Sequence, residues 1–246
     1  MFNNIIKYKF LLSLVFISFL INKETLAIVT KSTGDVKYKN YLSNEFENEL
    51  KMGSQLFNND LIVTDSDGFV KFSYLDDGTT IKIHHDSELY VRGQINKKSI
   101  SKRINMSNGL LKLDISKQND DEFMVITPTS VASVKGTSFI LESNEDGDKF
   151  FGYEGTVEIR NKESNKIVKL SKNLKVTSGI DGTIDSQIVT PADINPIETF
   201  IEFDEEEQPI ENYFEEEIEN QTINELIIKV YNSDGEEREI IIKYNE

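Results

Sequence analysis

Apolar and polar residues alternate in short runs along most of the chain between residues 34 and 178, and glycine, asparagine or aspartate breaks each run. In residues 70–74, for example, valine, phenylalanine and tyrosine alternate with lysine and serine. A period of two is typical of a strand that buries one face. There are roughly a dozen such runs and no helical pattern, which predicts one all-β domain over residues 28–180.

Turn residues separate these runs. Asp76-Asp77-Gly78, residues 144–148 and Tyr153-Glu154-Gly155 each place a glycine where a positive φ is expected in a reversal. The segment Phe123–Leu141 differs, because Pro128 cannot donate to a strand ladder and the alternation resumes after Gly136. This segment predicts a structural corner between two strands.

A different pattern begins near Pro191. Residues 181–222 predict an acidic linker or a short amphipathic helix, since Ile210, Tyr213, Phe214 and Ile218 fall at helical spacing after a proline. A solvated linker without a helix is the alternative, because the segment is densely acidic. Residues 223–246 predict a β-hairpin around residues 232–235, whose isoleucines are expected to dock on the main domain or on a partner.

Composition excludes several functions. The chain has no cysteine, so disulfides, thiol catalysis and thiolate metal sites are excluded. Its formal charge of -16 repels phosphate backbones and anionic lipid headgroups, so neither nucleic acid nor a membrane surface is expected as a partner. Stability must therefore come from packing, and the expected partner is a protein or a glycan.

Residues 1–27 have the pattern of an export signal. Lys7 and Lys9 precede an apolar run over residues 10–21, and Thr25-Leu26-Ala27 offers small residues where a signal peptidase reads them. We predict cleavage after Ala27, which moves the charge to about -18. An uncleaved anchor is the alternative, but the run is shorter than the ~20 residues that span a bilayer. The mature protein is then expected in a periplasm or outside the cell, without a stable membrane span.

The order of the turns and strands resembles the FecR domain over about residues 29–178. No single motif is specific to the FecR domain, but the order of the motifs along the chain is. Each matched residue has a fold-specifying reason: glycines suit turns, aspartates and threonines bond the backbone at strand ends, and Phe139 anchors a core. The matched residues are Gly34, Gly53, Asp60, Thr64, Asp77, Gly78, Thr127, Pro128, Gly136, Thr137, Phe139, Glu154, Gly155 and Val157.

The resemblance implies a non-catalytic domain of twisted β-solenoid or β-roll architecture, with a β-sandwich as the alternative. It also implies a role in the envelope, because FecR domains are best known as the periplasmic part of regulators that pass a signal to a sigma factor. Those regulators carry a cytoplasmic segment before a membrane helix, whereas residues 1–9 alone precede the apolar run here. We therefore expect a stand-alone exported protein, with a signalling component as a weaker alternative.

Candidate chemistry is sparse. His84 and His85 are adjacent in a strand and face opposite sides, so they are not expected to ligate one metal. The Asp65-Ser66-Asp67-Gly68 run resembles the start of a calcium loop but lacks its glutamate, so a turn is favoured. No catalytic residue, metal or cofactor is predicted. Aromatic residues that could stack on sugars keep a glycan-binding module as the alternative to a protein-binding scaffold: Tyr38, Tyr41, Phe46, Phe57, Tyr74 and Tyr90.

Overall fold

The computed structural model describes residues 24–46, 50–96, 99–118, 122–197, 223–231 and 237–245, the last two ranges as backbone. The chain divides into two compact units, Met1–Asp204 and Glu205–Glu246. The strands are β1 Ala27–Thr33, β2 Val36–Lys39, β3 Gln55–Leu56, β4 Asp60–Thr64, β5 Phe69–Tyr74, β6 Thr80–Ile83, β7 Ser87–Asn96, β8 Ser99–Ile115, β9 Phe123–Ile126, β10 Ser130–Val134, β11 Thr137–Asn144, β12 Gly147–Glu154, β13 Thr156–Asn161, β14 Ile167–Ser171, β15 Leu174–Gly179, β16 Ile184–Ile188, β17 Ile223–Tyr231 and β18 Glu237–Asn245; a helix, α1, covers residues 191–197.

Strand β8 belongs to two sheets. Its first part pairs with β7 and β9, in the sheet that runs β2-β4-β7-β8-β9-β10-β13-β14. Its second part pairs with β6 and β11, in the sheet that runs β1-β5-β6-β8-β11-β12-β15-β16, with β3 beside β1. The predicted all-β class is confirmed. Among the described strands, β8–β9 is the one parallel pair, and the antiparallel pairs that form the rest are closer to the sandwich alternative than to stacked coils.

A glycine lets β8 pass from one sheet to the other. Gly109 has φ +120°, and a Cβ at this position would lie 2.1 Å from the Ser87 hydroxyl oxygen. The Ser87 Oγ instead accepts the Leu110 N–H at 3.0 Å. A residue with a side chain would therefore push β7 away from β8 at the bend.

The inner faces of the two sheets form one hydrophobic core. Tyr74 of β5 meets Phe123 of β9 across the core edge to face, with ring centroids 5.9 Å apart. The inward residues of β8 and β11, such as Leu111 and Phe139, are fully buried. The alternation seen in the sequence thus reflects two sheets that each bury one face against the other.

The corner predicted at Gly136 lies where the chain crosses between the sheets. Strand β10 ends in one sheet, and β11 begins in the other directly after Gly136. The chain crosses back at Gly155, where φ is +74° and a Cβ would lie 2.6 Å from the Gly136 carbonyl oxygen. Gly155 thus lets the two crossings lie side by side, whereas Gly136 has φ +146° and a Cβ there would lie 3.0 Å from the Lys117 Cα.

The sheet that contains β15 continues beyond residue 180, the predicted end of the domain. Strand β16 pairs with β15 from Ile184 to Ile188, so this part of the 181–222 segment is strand and not linker. Helix α1 follows directly, and the helix predicted around residues 210–218 lies outside the described residues. In the second unit, β17 and β18 pair antiparallel from Ile223↔Asn245 to Tyr231↔Glu237, as a hairpin.

The predicted cleavage site after Ala27 falls inside the folded domain. Ala27 begins β1 and is fully buried, and Leu26 is buried in the main core beside Gly93. Leu26 also donates its N–H to the Leu56 carbonyl and accepts the Leu75 N–H at its own carbonyl. Cleavage there would remove a core leucine together with its sheet contacts.

A chain that begins at Glu24 is accordingly expected to be about 2–4 kcal/mol more stable than one that begins at Ile28. Urea unfolding of the two chains measures the difference. Leu26→Ala in the longer chain should reproduce most of the loss, and equal unfolding midpoints of the two chains would show that residues 24–27 contribute nothing to the fold.

Candidate functional site

A second apolar patch lies on the outer face of the sheet formed by β8, β11 and β12. Leu110, Ile140 and Phe151 form it: Ile140 of β11 is paired with Phe151 of β12, and Leu110 of β8 is paired with Glu142, two residues further along β11. Each is almost fully buried, although the inward neighbours Phe139 and Phe150 belong to the main core. Both faces of these strands are therefore apolar, which requires a cover on the outer side.

Helix α1 provides part of this cover. Ile194 and Ile197 of the helix pack on the patch, together with Val189 and Tyr153. A capping box starts the helix: Thr190 donates its N–H and its hydroxyl to Asp193 Oδ2 at 3.0 Å and 2.7 Å, and Pro191 takes the first helical position. We call residues 189–197 the strap.

An ion pair fastens the strap to the sheet. Lys175 Nζ of β15 lies 2.6 Å from Asp193 Oδ1. The hydrogen bond from Lys175, with those from Thr190, holds the pKa of Asp193 well below its ordinary range. The carboxylate is therefore ionised at neutral pH, and the strap is held by charge as well as by apolar contact.

An open groove of about 960 Å³ runs between the strap and the sheet. Its apolar walls come from five places in the chain, namely β8, the β9–β10 turn, β12, the β15–β16 turn and the strap, and polar residues of the β6–β7 turn, of β8 and of the β11–β12 turn form its rim. Such a mixture of an apolar floor and a polar rim fits a polypeptide segment. The apolar lining residues are Leu110, Pro128, Phe151, Ile180, Ala192, Pro196 and Ile197. We call it the strap groove.

A buried polar cluster fixes one wall of the strap groove, at the Thr127-Pro128 turn. Asp148 is buried and accepts hydrogen bonds from the Thr127 hydroxyl at 2.6 Å and from the Ser143 hydroxyl at 2.7 Å. Thr127 Oγ1 in turn accepts the Ser130 N–H at 2.8 Å, and Lys162 Nζ donates to the Thr127 carbonyl. Burial lowers the pKa of Lys162 against the attraction of Asp148. The cluster makes the turn a rigid support for Pro128.

The rim of the strap groove is acidic. Its lysines are paired within the chain, Lys149 with Glu142 at 3.3 Å and Lys175 with Asp193. Asp86 and Glu145 add two more carboxylates, and Asp86 lies 3.1 Å from the His85 ring. A segment that carries lysine or arginine beside apolar residues would complement this rim.

A second groove, of about 810 Å³, lies beside the Gly136 crossing and is lined mainly by charged and small polar residues. Thr137 and Glu154 of the FecR-like pattern line it, and Lys135 pairs with Glu122 at 3.1 Å on its rim. Its described lining residues include no aromatic ring.

The other residues matched to the FecR pattern have structural surroundings. Buried Asp60 accepts hydrogen bonds from the Tyr38 hydroxyl at 2.6 Å and from the Phe57 N–H at 2.9 Å. The Thr64 hydroxyl donates to the His84 carbonyl at 2.7 Å. Gly34, Gly53 and Gly78 occupy turns with positive φ, and Val157 is in the main core. Of the matched set, Pro128 alone lines the strap groove.

The histidines and the acidic turn contact their neighbours as follows. His84 is fully buried against the Phe69 ring, with centroids 5.3 Å apart, and His85 lies at the groove rim. Asp65 pairs with Lys37 at 2.5 Å, and Asp67 accepts the Asp35 N–H, so both belong to a turn. No cluster of three or more histidine, aspartate or glutamate residues suited to a metal occurs in the described part of the chain.

Of the aromatic candidates for sugar stacking, Tyr38, Phe57 and Tyr74 are buried, and Tyr90 is partly buried beneath Arg92. Tyr41 and Phe46 remain exposed, at 37% and 47%. Across the described ranges, no helix is long and apolar enough to cross a bilayer.

Sequence reasoning missed the strap and the outer patch. Two signals in the sequence mark them. The first is the Thr190-Pro191-Ala192-Asp193 run, which is a capping box with proline at the first helical position. The runs Phe139-Ile140-Leu141 and Phe150-Phe151 break the alternation, which indicates strands buried on both faces.

Comparison with known proteins supports the resemblance to the FecR domain that the turns and strands indicated. Residues 60–158 match the family model described as FecR protein. Two crystal structures of a candidate anti-sigma factor from Parabacteroides distasonis ATCC 8503, at 2.50 Å and 1.65 Å resolution, are similar at 17% and 18% identity with TM-scores of 0.45 and 0.44. Each similarity covers 52% of this chain and 59% of the other. The sequence matches no protein of curated function.

Proposed function

The chain carries a FecR domain, and from this premise we propose that it is an exported, non-enzymatic module that binds a protein of the cell envelope through the strap groove. The observation that carries the proposal is the apolar patch of Leu110, Ile140 and Phe151 on the outside of the sheet. The strap helps to bury the patch, and an open groove of about 960 Å³ lies beside it. Ile180 lines this groove and is 64% exposed, and exposed apolar surface marks interaction sites.

The occupant that fits the groove is an extended segment of another envelope protein, with apolar residues and at least one lysine or arginine. The apolar residues would cover the floor beside Phe151 and Ile197, and the cation would lie near Asp86 and Glu145 on the rim. The overall acidity of the chain favours the same choice, because a charge of -16 attracts a basic partner.

Crosslinking in cells tests this proposal. A photoreactive residue is placed either at Ile180, which lines the strap groove, or at Ile188, which is similarly exposed on the edge strand β16 and does not line the groove. We expect position 180 to give a product whose linked peptide is apolar and basic. Ile180→Glu should weaken binding of that peptide about tenfold, which corresponds to about 1.4 kcal/mol, whereas Ile188→Glu should leave it unchanged. Equal products from positions 180 and 188 would contradict the site.

The acidic segment and the terminal hairpin are proposed as secondary contacts. A chain that ends at Asp204 keeps the whole first unit and lacks the second. Lower affinity of this shorter chain for the same peptide would assign them a role, and unchanged affinity would confine binding to the first unit.

Glycan binding is the second candidate, and the exposed rings of Tyr41 and Phe46 favour it. It predicts retention on purified peptidoglycan or polysaccharide that survives ~0.5 M salt, since stacking is not screened. Loss of retention in Tyr41→Ala with Phe46→Ala would support this candidate. Retention that salt abolishes would argue against it.

A signalling role, which the FecR family favours, requires instead that the captured partner be a receptor or a regulator.

A further inference from the structure

Lys102 of β8 is buried beside two carboxylates. Its side chain is 1% exposed, and its Nζ lies 2.7 Å from Asp76 Oδ2 and 2.9 Å from Asp77 Oδ2. The Tyr74 ring closes the site from the core side, with its centroid 5.7 Å from Nζ. An amine and two carboxyl groups thus share one site from which water is largely excluded.

The two carboxylates differ in their hydrogen bonds. Asp77 accepts the Thr79 N–H on Oδ1 at 2.9 Å and Gln118 Nε2 on Oδ2 at 2.6 Å, in addition to Lys102. Burial opposes ionisation of Asp77, but these bonds, led by that from Lys102, hold its pKa below the ordinary value. Asp77 is therefore a carboxylate, and its Oδ2 lies 2.9 Å from Lys102 Nζ, within reach of a proton on the amine.

Asp76 is arranged differently. The hydrogen bonds from the Ile100 N–H at 2.8 Å and from Lys102 both fall on Oδ2. The Ile100 N–H is a fixed backbone donor that can stabilise negative charge on Oδ2 when a nucleophile adds to Cγ. Oδ1 is then the oxygen that can leave. The three groups thus divide into a nucleophile, an electrophile and a proton acceptor.

We propose that Lys102 and Asp76 condense to an intramolecular isopeptide bond. Asp77 takes a proton from the Lys102 ammonium, and the neutral Nζ attacks Cγ of Asp76, forming the C–N bond. Asp77 returns its proton to the leaving Oδ1, the Cγ–Oδ1 bond breaks, and a second proton from Nζ completes a water molecule. The products are a neutral amide, one water and the ionised Asp77, so atoms and charge balance without an oxidant or another reactant.

Burial favours this reaction. The ion pair keeps an ammonium and a carboxylate away from water, whereas the amide carries no charge that needs solvation. Proximity also favours the condensation, since the nucleophile Lys102 Nζ is already in contact with the carboxylate that it attacks. The bond would join the β5–β6 turn to β8 over 26 residues, in a chain that has no cysteine for a disulfide.

Mass spectrometry of the folded full chain tests the proposal directly. We expect an intact mass lower than that of the sequence by one water molecule. Trypsin should then release a branched product in which the peptide 72–82, with Asp76 and Asp77, is joined to the peptide 99–103 through Lys102. Linear peptide 72–82, together with cleavage after Lys102, in protein that has been kept folded would overturn the proposal.

Variants separate the roles of the groups. Asp76→Asn should lose ammonia instead of water, because the leaving group is then the amide nitrogen. Lys102→Arg should show no mass loss, and Asp77→Asn should slow the condensation at least tenfold while its circular dichroism stays that of a β-protein. Lys135→Arg is the matched control on an exposed lysine paired with one carboxylate, and its mass loss should equal that of the parent chain. Loss of water in Lys102→Arg would assign the condensation to other residues and contradict the site.

Discussion

A chain in which methionine replaces Lys102 is expected to lose about 3–5 kcal/mol of its free energy of unfolding. Methionine keeps the apolar stem but leaves the carboxylates of Asp76 and Asp77, 12% and 21% exposed, without their cation. Chemical unfolding in urea measures the loss. Lys135→Met, which breaks an exposed pair with Glu122, should cost no more than about 1 kcal/mol.

The loss at Lys102 should depend on pH. The folded-state pKa of Asp77 is depressed, so its contribution to stability is present above the unfolded pKa of about 4 and is lost as pH falls through the folded value. For parent chain that intact mass shows to be uncondensed, the methionine variant lacks this contribution, so the two chains should converge in stability as pH falls from about 4 through the folded value. A gap that stays constant from neutral to acid pH would show that packing, and not charge, explains the effect. Intact mass, measured on the parent chain beforehand, separates the loss of an ion pair from the loss of a covalent link.

Phe139→Ala is expected to cost a similar amount, about 3–5 kcal/mol. The ring is fully buried in the main core and lies 6.5 Å, centroid to centroid, from that of Phe150 on the neighbouring strand. Its removal leaves a cavity between the two sheets next to the Gly136 crossing, where the backbone cannot easily relax. Thermal unfolding followed by circular dichroism checks the prediction.

Ile188→Ala is the matched control for Phe139→Ala. Ile188 is also apolar and lies on a strand, but its side chain is 75% exposed. The control should change the free energy of unfolding by less than about 0.5 kcal/mol. A loss below about 1 kcal/mol for Phe139→Ala would show that the ring does not anchor the core.

Local patterns predicted those features that depend on neighbours in sequence. The alternation in residues 70–74 corresponds to β5, whose inward residues are in the core, and Asp77-Gly78 forms the turn that follows. Gly136 lies at the crossing that the proline and the glycine predicted. These elements were predictable because a half-buried strand and a tight turn each restrict residue type within a few positions.

Features that depend on distant partners were not predictable. Asp76 and Asp77 indicated a turn, but nothing near them in sequence shows that Lys102 fills the space between them. The strap groove likewise unites Pro128, Phe151 and Ile197, and its wall depends on Asp148 accepting from Thr127 across 21 positions. Side chains far apart in sequence meet only after the sheets have packed.

The all-β class, the turns and the FecR pattern follow from short stretches of sequence, because period-two alternation and turn chemistry are local. Tertiary structure alone decided which faces stay apolar on the outside, where the strap lies and which carboxylates surround the buried lysine. It also showed that Leu26 and Ala27 belong to the folded domain, although their sequence has the features of a cleavage site. The physical reason is that the burial of a side chain depends on the elements that pack against it. The sequence of one strand does not specify those elements.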